Sequence, residues 1–256
     1  MTDVAVASSS PAEGAVHRSF ALLQLLVAAE EPLGVRELAR RSGLSKSAVS
    51  RLLATLAEIG MVERTGDGGA RPGAGLATLT RRVEHTPALL RERLRPLTAE
   101  MQREYDENAA VGIDDGNGLL YLASARVPAA VQVADPVGET FPFHLVAPGL
   151  VAMAAWPAAR LDEYLAAPLE GGTPRTVTDP DAVRERLARI RRDGYAWTDQ
   201  ELDLEVNGLA APIRDGDGDQ VAVATLYGPS YRLSEQLLPD LGAEFAQFVT
   251  ARNPLT

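Results

Sequence analysis

One short run, Ser45-Lys46-Ser47-Ala48-Val49-Ser50-Arg51, carries the residue types suited to holding a polyanion. Short hydroxyl and cationic side chains at the start of a helix can approach phosphates and base edges, where the first backbone amides also point outward. Lys46 is the chain's only lysine. With Arg36, Arg64 and Arg71 on either side, Ser45, Lys46, Ser47, Ser50 and Arg51 form the set expected to touch a duplex. The other reactive residues do not combine into a catalyst. His17, His85 and His144 lack metal-ligand spacing, there is no cysteine for a disulfide or a thiolate site, and no phosphate loop, nucleophile elbow or dinucleotide-binding glycine motif is present. Asp215-Gly216-Asp217-Gly218-Asp219 resembles the start of a calcium loop, but Gln220 stands where such a loop needs glycine and Leu226 where it needs glutamate, so a plain turn is expected. The alternating acids Asp199, Glu201, Asp203 and Glu205 read as a solvated edge or loop. The expectation is a protein without catalysis and without a cofactor.

The elements around Ser45 fit that chemistry. Residues 1–14 are small and polar and read as a disordered tail. A helix begins at Val16, with Phe20, Leu23 and Val27 as its apolar stripe, widened by Leu22 and Leu26, and ends near Glu30 to Pro32. A second, short helix turns Val35, Leu38 and Ala39 inward and stops at Ser42-Gly43, where glycine suits a left-handed cap and Leu44 packs into the turn. Ser45 is a good N-cap for a third helix whose core face is Val49, Leu52, Leu53, Leu56 and Ile59. Gly60 ends it. Met61 to Arg64 and Ala70 to Pro72 form a hairpin with its tip at Gly66 to Gly69. Helix, tight turn, helix and hairpin make a winged helix-turn-helix over 15–75, the plan that lays one helix in a major groove.

Beyond it, Leu76 to Asp106 reads as mostly helical with a break near His85 to Pro87, so that 76–90 is a linker and 91–256 a second domain. Leu89, Leu90, Leu94, Leu97 and Met101 give that helix its stripe. Strands are expected at Ala109 to Ile113, Leu119 to Arg126, Val131 to Ala134, Leu209 to Arg214 and Gln220 to Tyr227, with hairpin turns at 114–118 and 215–219. Helices are expected at Pro148 to Ala155, Ala158 to Ala166, Asp181 to Asp193 and Leu233 to Ala251, with Thr178-Asp179-Pro180 starting the third and Gly194 ending it. Helices interspersed with antiparallel hairpins give an α+β class.

The net charge of −10 runs against a nucleic-acid partner until its distribution is read. Residues 34–75 carry seven Lys or Arg against four acids, a local +3, and the acid excess lies in the C-terminal part. So modest a charge calls for two heads acting together. There is no basic, apolar leader and no apolar run near the roughly 20 residues that span a bilayer, so a cytoplasmic protein is expected.

The segments HRSFALLQLL, VRELARRSGLSKSAVSRLLATLAEIGMVER, FPFHLVAPGLVAMAA, TPRTVTDPDAVRERLARIRRDGYAWTDQEL and GLAAPIRDGDGDQVAVATLYGPSYRLS, in that order from His17 onward, resemble the IclR family of bacterial transcriptional regulators. The resemblance implies a winged helix-turn-helix, a linker helix and a C-terminal GAF/PAS-like effector-binding domain. It further implies homodimers, often paired into tetramers, on operator DNA, and a small metabolite as signal. By the same resemblance Ala130, Val133, Phe141, Ala147, Thr198, Asp199, Gly208, Thr225 and Tyr227 line the effector pocket. Phe143 and His144 join them as residues leading into the Pro148 helix, whose N-terminal amides suit a carboxylate.

The chain departs from the family at Val146, Ala147 and Leu150, at Glu205-Val206-Asn207-Gly208, and at Tyr227, all of which fall at the ligand site. In the wing, Ala70 and Pro72 stand where an aromatic residue and a leucine are usual. The expected pocket is more apolar than charged, which points to an aromatic or lactone-like effector over a small dicarboxylate. Two readings stay open: a ligand-controlled DNA-binding regulator, and a ligand-binding or protein-interaction module whose helix-turn-helix no longer reads DNA.

Overall fold

A computed structural model of the chain describes residues 14–66, 68–76, 78–79, 85–129, 133–234 and 236–256. The chain divides into two compact units, Met1–Glu84 and His85–Thr256.

In the first unit, α1 (Ala15–Val27), β1 (Leu33–Gly34), α2 (Val35–Ser42), α3 (Lys46–Glu58), β2 (Val62–Arg64) and β3 (Gly69–Pro72) follow one another. Gly43 takes φ 72°, which ends α2 without the steric cost of a side chain. Ser45 is extended at φ −68° and ψ 149°, and its Oγ accepts the Ala48 N–H, so α3 starts there. Leu22, Leu26, Leu38, Val49 and Leu53 are wholly buried and tie the three helices together. The strands form an antiparallel sheet in the order β1-β3-β2, so Leu33-Gly34, expected only as a lead-in, is an extra strand that pairs with Ala70 and Gly69.

Three apolar positions differ from expectation. Phe20 and Val27 are 62% and 61% exposed, because four leucines within five residues give α1 a choice of face and the core takes Ala21, Leu22, Leu25 and Leu26 along with Leu23. Ile59 is 59% exposed, because α3 ends at Glu58 and Ile59 is its C-cap.

The second unit contains α4 (Pro87–Tyr105), β4 (Asn108–Asp114), β5 (Leu119–Ala125), β6 (Thr140–Phe141), a 3-10 turn (Phe143–Leu145), α5 (Ala147–Ala154), α6 (Ala158–Ala166), α7 (Pro180–Asp193), β7 (Ala196–Asp199), β8 (Val206–Arg214), β9 (Gln220–Pro229) and α8 (Leu238–Arg252). Its six strands are antiparallel in the order β6-β5-β4-β9-β8-β7. Side chains alternate across the sheet. Ala109, Val111, Leu209, Ala211, Ala224 and Leu226 face α4 and α8, and Leu90, which had been expected in the linker, is buried in that layer. Ala110, Ala210, Val223 and Tyr227 face α5, α6 and α7.

The turn signals act as read. Asp179 Oδ2 accepts the Ala182 N–H at 2.9 Å to start α7, and Gly194 ends it at φ 80°. Asp215 Oδ1 accepts the Asp217 and Asp219 amides at 3.0 Å, as in an ordinary hairpin turn. Of the strand expected at Val131 to Ala134, Val131 lies outside the described residues, and Val133 and Ala134 belong to no strand. The edge strands β6 and β7 were not anticipated, and α8 begins five residues after Leu233, behind a run of turns.

Gly149 has a specific steric task. A Cβ there would lie 2.1 Å from the Phe143 carbonyl oxygen, so glycine lets α5 seat directly on the preceding turn. Gly149→Ala should therefore lower the urea unfolding free energy by about 1–3 kcal/mol through overpacking. Loss of the α7 cap in Asp179→Ala should cost about 1 kcal/mol. Both are read by circular dichroism, and an unchanged midpoint for Gly149→Ala would contradict the close contact.

Candidate nucleic-acid interface and ligand cavity

Helix α3 is two-sided. Val49, Leu53 and Leu56 are buried, while Lys46, Ser47, Ser50, Arg51 and Ala54 are exposed together along the opposite face. Ser45 is exposed as well, but its Oγ already accepts the Ala48 amide at 3.2 Å and lies 3.1 Å from Ser47 Oγ, which ties it to shaping the helix start.

The basic residues from α2 to β3 divide into two groups. Glu37 binds both Arg40 and Arg41, with Arg40 Nε donating at 2.9 Å and Arg41 Nε at 2.7 Å. Hydrogen bonds from these two guanidinium groups hold the Glu37 carboxyl down at about 2. Across the wing, Arg71 donates to Glu63 through Nε at 3.1 Å and Nη2 at 2.9 Å, which lowers the Glu63 pKa. Arg36, Lys46, Arg51 and Arg64 are exposed, and no carboxylate among the described residues pairs with them. The charge open to an anion is thus concentrated on α3, the start of α2 and the end of β2.

The second unit encloses a cavity of about 780 Å³. Tyr121, Phe141, Leu145, Val146, Ala147 and Pro148 form one part of its wall, and Thr198, Leu202, Val206, Gly208, Thr225 and Tyr227 another. Small residues make the space. A Cβ on Gly208 would sit 3.1 Å from Thr198 Oγ1 and 3.6 Å from Ala147 Cβ. Val133, Phe141, Ala147, Thr198, Gly208, Thr225 and Tyr227, seven of the residues expected at a pocket, are brought together here. Ala130 lies outside the described residues.

Three expected residues do not line it. Phe143 is buried edge-on against Trp156 and Tyr164, with ring centroids 4.7 and 5.9 Å away. His144 is also buried, with Nδ1 2.7 Å from the Tyr164 hydroxyl and Nε2 2.9 Å from the Glu170 carbonyl oxygen. A carbonyl can only accept, so Nε2 carries the proton, and in the neutral ring Nδ1 accepts from Tyr164. Both nitrogens are thus used inside the fold. Asp199 turns to Arg175.

The solvated reading of the acidic alternation fails at its first two members. Asp199 is largely covered, and Glu201 is buried with its carboxylate 2.8 Å from two nitrogens of Arg186. Asp203 and Glu205 are exposed as expected.

The chemistry of the cavity centres on Tyr227. Its hydroxyl is buried and has no hydrogen-bond partner among the described residues. Burial, reinforced by the nearby Asp135 carboxylate, pushes this phenol up from its usual range, so it stays protonated and able to donate. Thr225 is different, since its Oγ1 donates to the Leu209 carbonyl at 2.8 Å.

The backbone of Tyr227 is pinned from behind. Asn108 Nδ2 donates to its carbonyl at 3.1 Å and to Glu107 Oε1 at 3.1 Å, while Arg232 forks onto the same buried Glu107 through two 2.7 Å bonds. Gly228 leaves room for that carboxylate, since a Cβ there would meet it at 2.5–2.7 Å. Sequence reasoning missed this clamp, whose members are 119 and 125 residues apart. No group of three or more potential metal ligands occurs among the described residues, and no described helix is long and apolar enough to cross a membrane.

Comparison with known proteins agrees with both halves. Residues 15–66 match the IclR helix-turn-helix domain, and residues 85–251 match the bacterial transcriptional regulator IclR C-terminal domain. The chain is 31% identical over 230 residues to the HTH-type transcriptional regulator Rv1719 of Mycobacterium tuberculosis, covering 87% of this chain and 88% of that one. It is 32% identical over 237 residues to the glycerol operon regulatory protein of Streptomyces griseus, covering 92% and 91%. Among solved structures, an IclR homolog from Microbacterium hydrocarbonoxydans complexed with 4-hydroxybenzoate is similar at a TM-score of 0.54 and 25% identity, over 93% of this chain and 100% of that one. With a helix-turn-helix whose exposed face carries cations that no carboxylate among the described residues pairs with, a cavity-bearing α+β unit following it in sequence, and family matches over both, this chain belongs to the IclR family of DNA-binding transcriptional regulators.

Proposed function

We propose that the exposed face of α3 enters the major groove of an operator. Lys46, Ser47, Ser50 and Arg51 face the bases and nearby phosphates, and Arg36 and Arg64 hold the flanking backbone, while Arg71, paired with Glu63, steadies the wing. The observation that carries this reading is the distribution of charge: Arg36, Lys46, Arg51 and Arg64 are exposed with no carboxylate partner among the described residues, although the chain's net charge is −10. Ser45 contributes by starting the helix.

So few exposed cations without a carboxylate partner among the described residues give weak binding per head, so the active species is a homodimer gripping two half-sites, with a dimer of dimers as the larger assembly. The exposed line of Val16, Phe20 and Val27 along α1 supports an interface between copies. The protein acts in the cytoplasm.

The cavity holds the effector. Its volume leaves room for a small organic molecule, and the solved relative with 4-hydroxybenzoate supports an aromatic one. The Tyr227 hydroxyl gives such a ligand a ready hydrogen-bond partner. An effector changes operator affinity only to the extent that it binds two arrangements of the protein with different strength.

Fluorescence anisotropy on the duplex lying upstream of the chain's own gene tests the first part. Lys46→Ala and Arg51→Ala should each weaken binding about tenfold and reduce the slope of log affinity against log salt by about 1. Unchanged binding in both variants would remove α3 from the groove. For the second part, Gly208→Val places two methyl groups in the cavity. Compounds that raise the melting temperature of the wild-type chain should fail to stabilise this variant, while its duplex affinity stays within about twofold. Equal stabilisation of both proteins would move the effector elsewhere.

A further inference from the structure

We propose that the cavity selects an organic cation, an amine carried on an aromatic body, and rejects carboxylates of equal size. The inference rests on the reading that this cavity holds the effector, and adds the sign of the effector's charge.

Four of the described lining residues are carboxylates, Asp135, Glu139, Asp203 and Glu205, and none is Lys, Arg or His. Neutral donors, not cations, meet these acids. Asp135 accepts from Ser124 Oγ and the Val137 amide, and Asp203 from the Glu205 amide. No salt bridge among the described residues engages any of the four. Arg126 comes near Tyr227, but it does not line the cavity, and its Nη2 donates to the Val133 carbonyl at 2.9 Å. These four exposed carboxylates would therefore repel an entering carboxylate and attract an ammonium, over a Debye length of about 8 Å.

The walls behind the acids suit the same ligand. Tyr121 and Phe141 meet edge to face with centroids 5.6 Å apart, and Tyr227 adds a third ring. Aromatic faces are electron-rich and attract a cation once it is desolvated. The buried Tyr227 oxygen, unpartnered in the fold, can accept from an ammonium N–H. The start of α5 is a poor rival anion site. Pro148 has no N–H, the Leu150 amide is spent on the Val146 carbonyl at 3.1 Å, and Gly149 is pressed against Phe143.

Isothermal calorimetry on the full chain with matched probes tests the sign: tyramine, phenethylamine and benzyltrimethylammonium as cations, 4-hydroxybenzoate and 3-phenylpropionate as anions, and 4-ethylphenol as the neutral reference. The expected result is that at least one amine binds tenfold or more tighter than every anion, and that this preference shrinks as salt rises. The variant carrying Asp135→Asn, Glu139→Gln, Asp203→Asn and Glu205→Gln should lose that preference. An anion binding as tightly as the best amine would overturn the proposal, as would no binding by any amine. The same holds for a preference that neither salt nor the neutralised variant changes, and the salt series decides the question if that variant does not fold. If no amine is preferred, binding of 4-ethylphenol or an anion that is lost in Gly208→Val would show that the cavity reading stands while the charge proposal fails. Amine binding retained in Gly208→Val would instead locate the failure in the cavity reading.

Discussion

The second unit is organised around a polar group that its own fold leaves unsatisfied. Sealing a hydroxyl away from water without a partner costs about 1–3 kcal/mol, and the Tyr227 hydroxyl is in that position. The fold does not let it escape. Strand β9 lies in the middle of the sheet between β4 and β8, and the Glu107–Arg232 pair with Asn108 fixes the Tyr227 backbone. Small neighbours, Gly208 and Ala147, leave space in front of the cavity wall. A rigid frame that leaves a buried hydroxyl without a partner at the wall of a cavity has the physical character of a binding site, because a ligand can offer the partner the chain withholds.

The head follows a parallel logic with charge in place of hydrogen bonding. Glu37 and Glu63 neutralise Arg40, Arg41 and Arg71, and keep the general attraction to polyanions low. What remains open is a small set of cations on and beside α3. That favours a binder whose affinity depends on placing two heads correctly, and such a binder is easily switched.

Local signals in the sequence were legible because their causes are local. Gly43 and Ser45 set the helix-turn-helix, and Asp179 with Gly194 bounded α7, since cap chemistry needs only neighbours within a few residues. The long-range features were hidden for the converse reason. Residues 22–26 contain so many leucines that periodicity could not choose a face, and the core left Phe20 and Val27 outside. Glu201 read as solvated because its partner Arg186 lies 15 residues back on another element. His144 and Phe143 stood at the right place in the sequence for a pocket, but the turn before α5 directs them into the packing around Tyr164 and Trp156. The carboxylates at the cavity were visible as residues, and only the sheet order brings 135 and 139 together with 203 and 205.

The central claim, that the cavity wall presents a donor the fold cannot satisfy, is tested most directly by the stability of Tyr227→Phe in the absence of any ligand. Equilibrium urea unfolding of the second unit's signal, in the full-length chain, should show the variant as stable as the wild type, or more stable by about 1 kcal/mol, because an uncompensated buried hydroxyl has been removed. Destabilisation by about 1 kcal/mol or more would mean that the hydroxyl is already bonded within the fold, and would contradict the account.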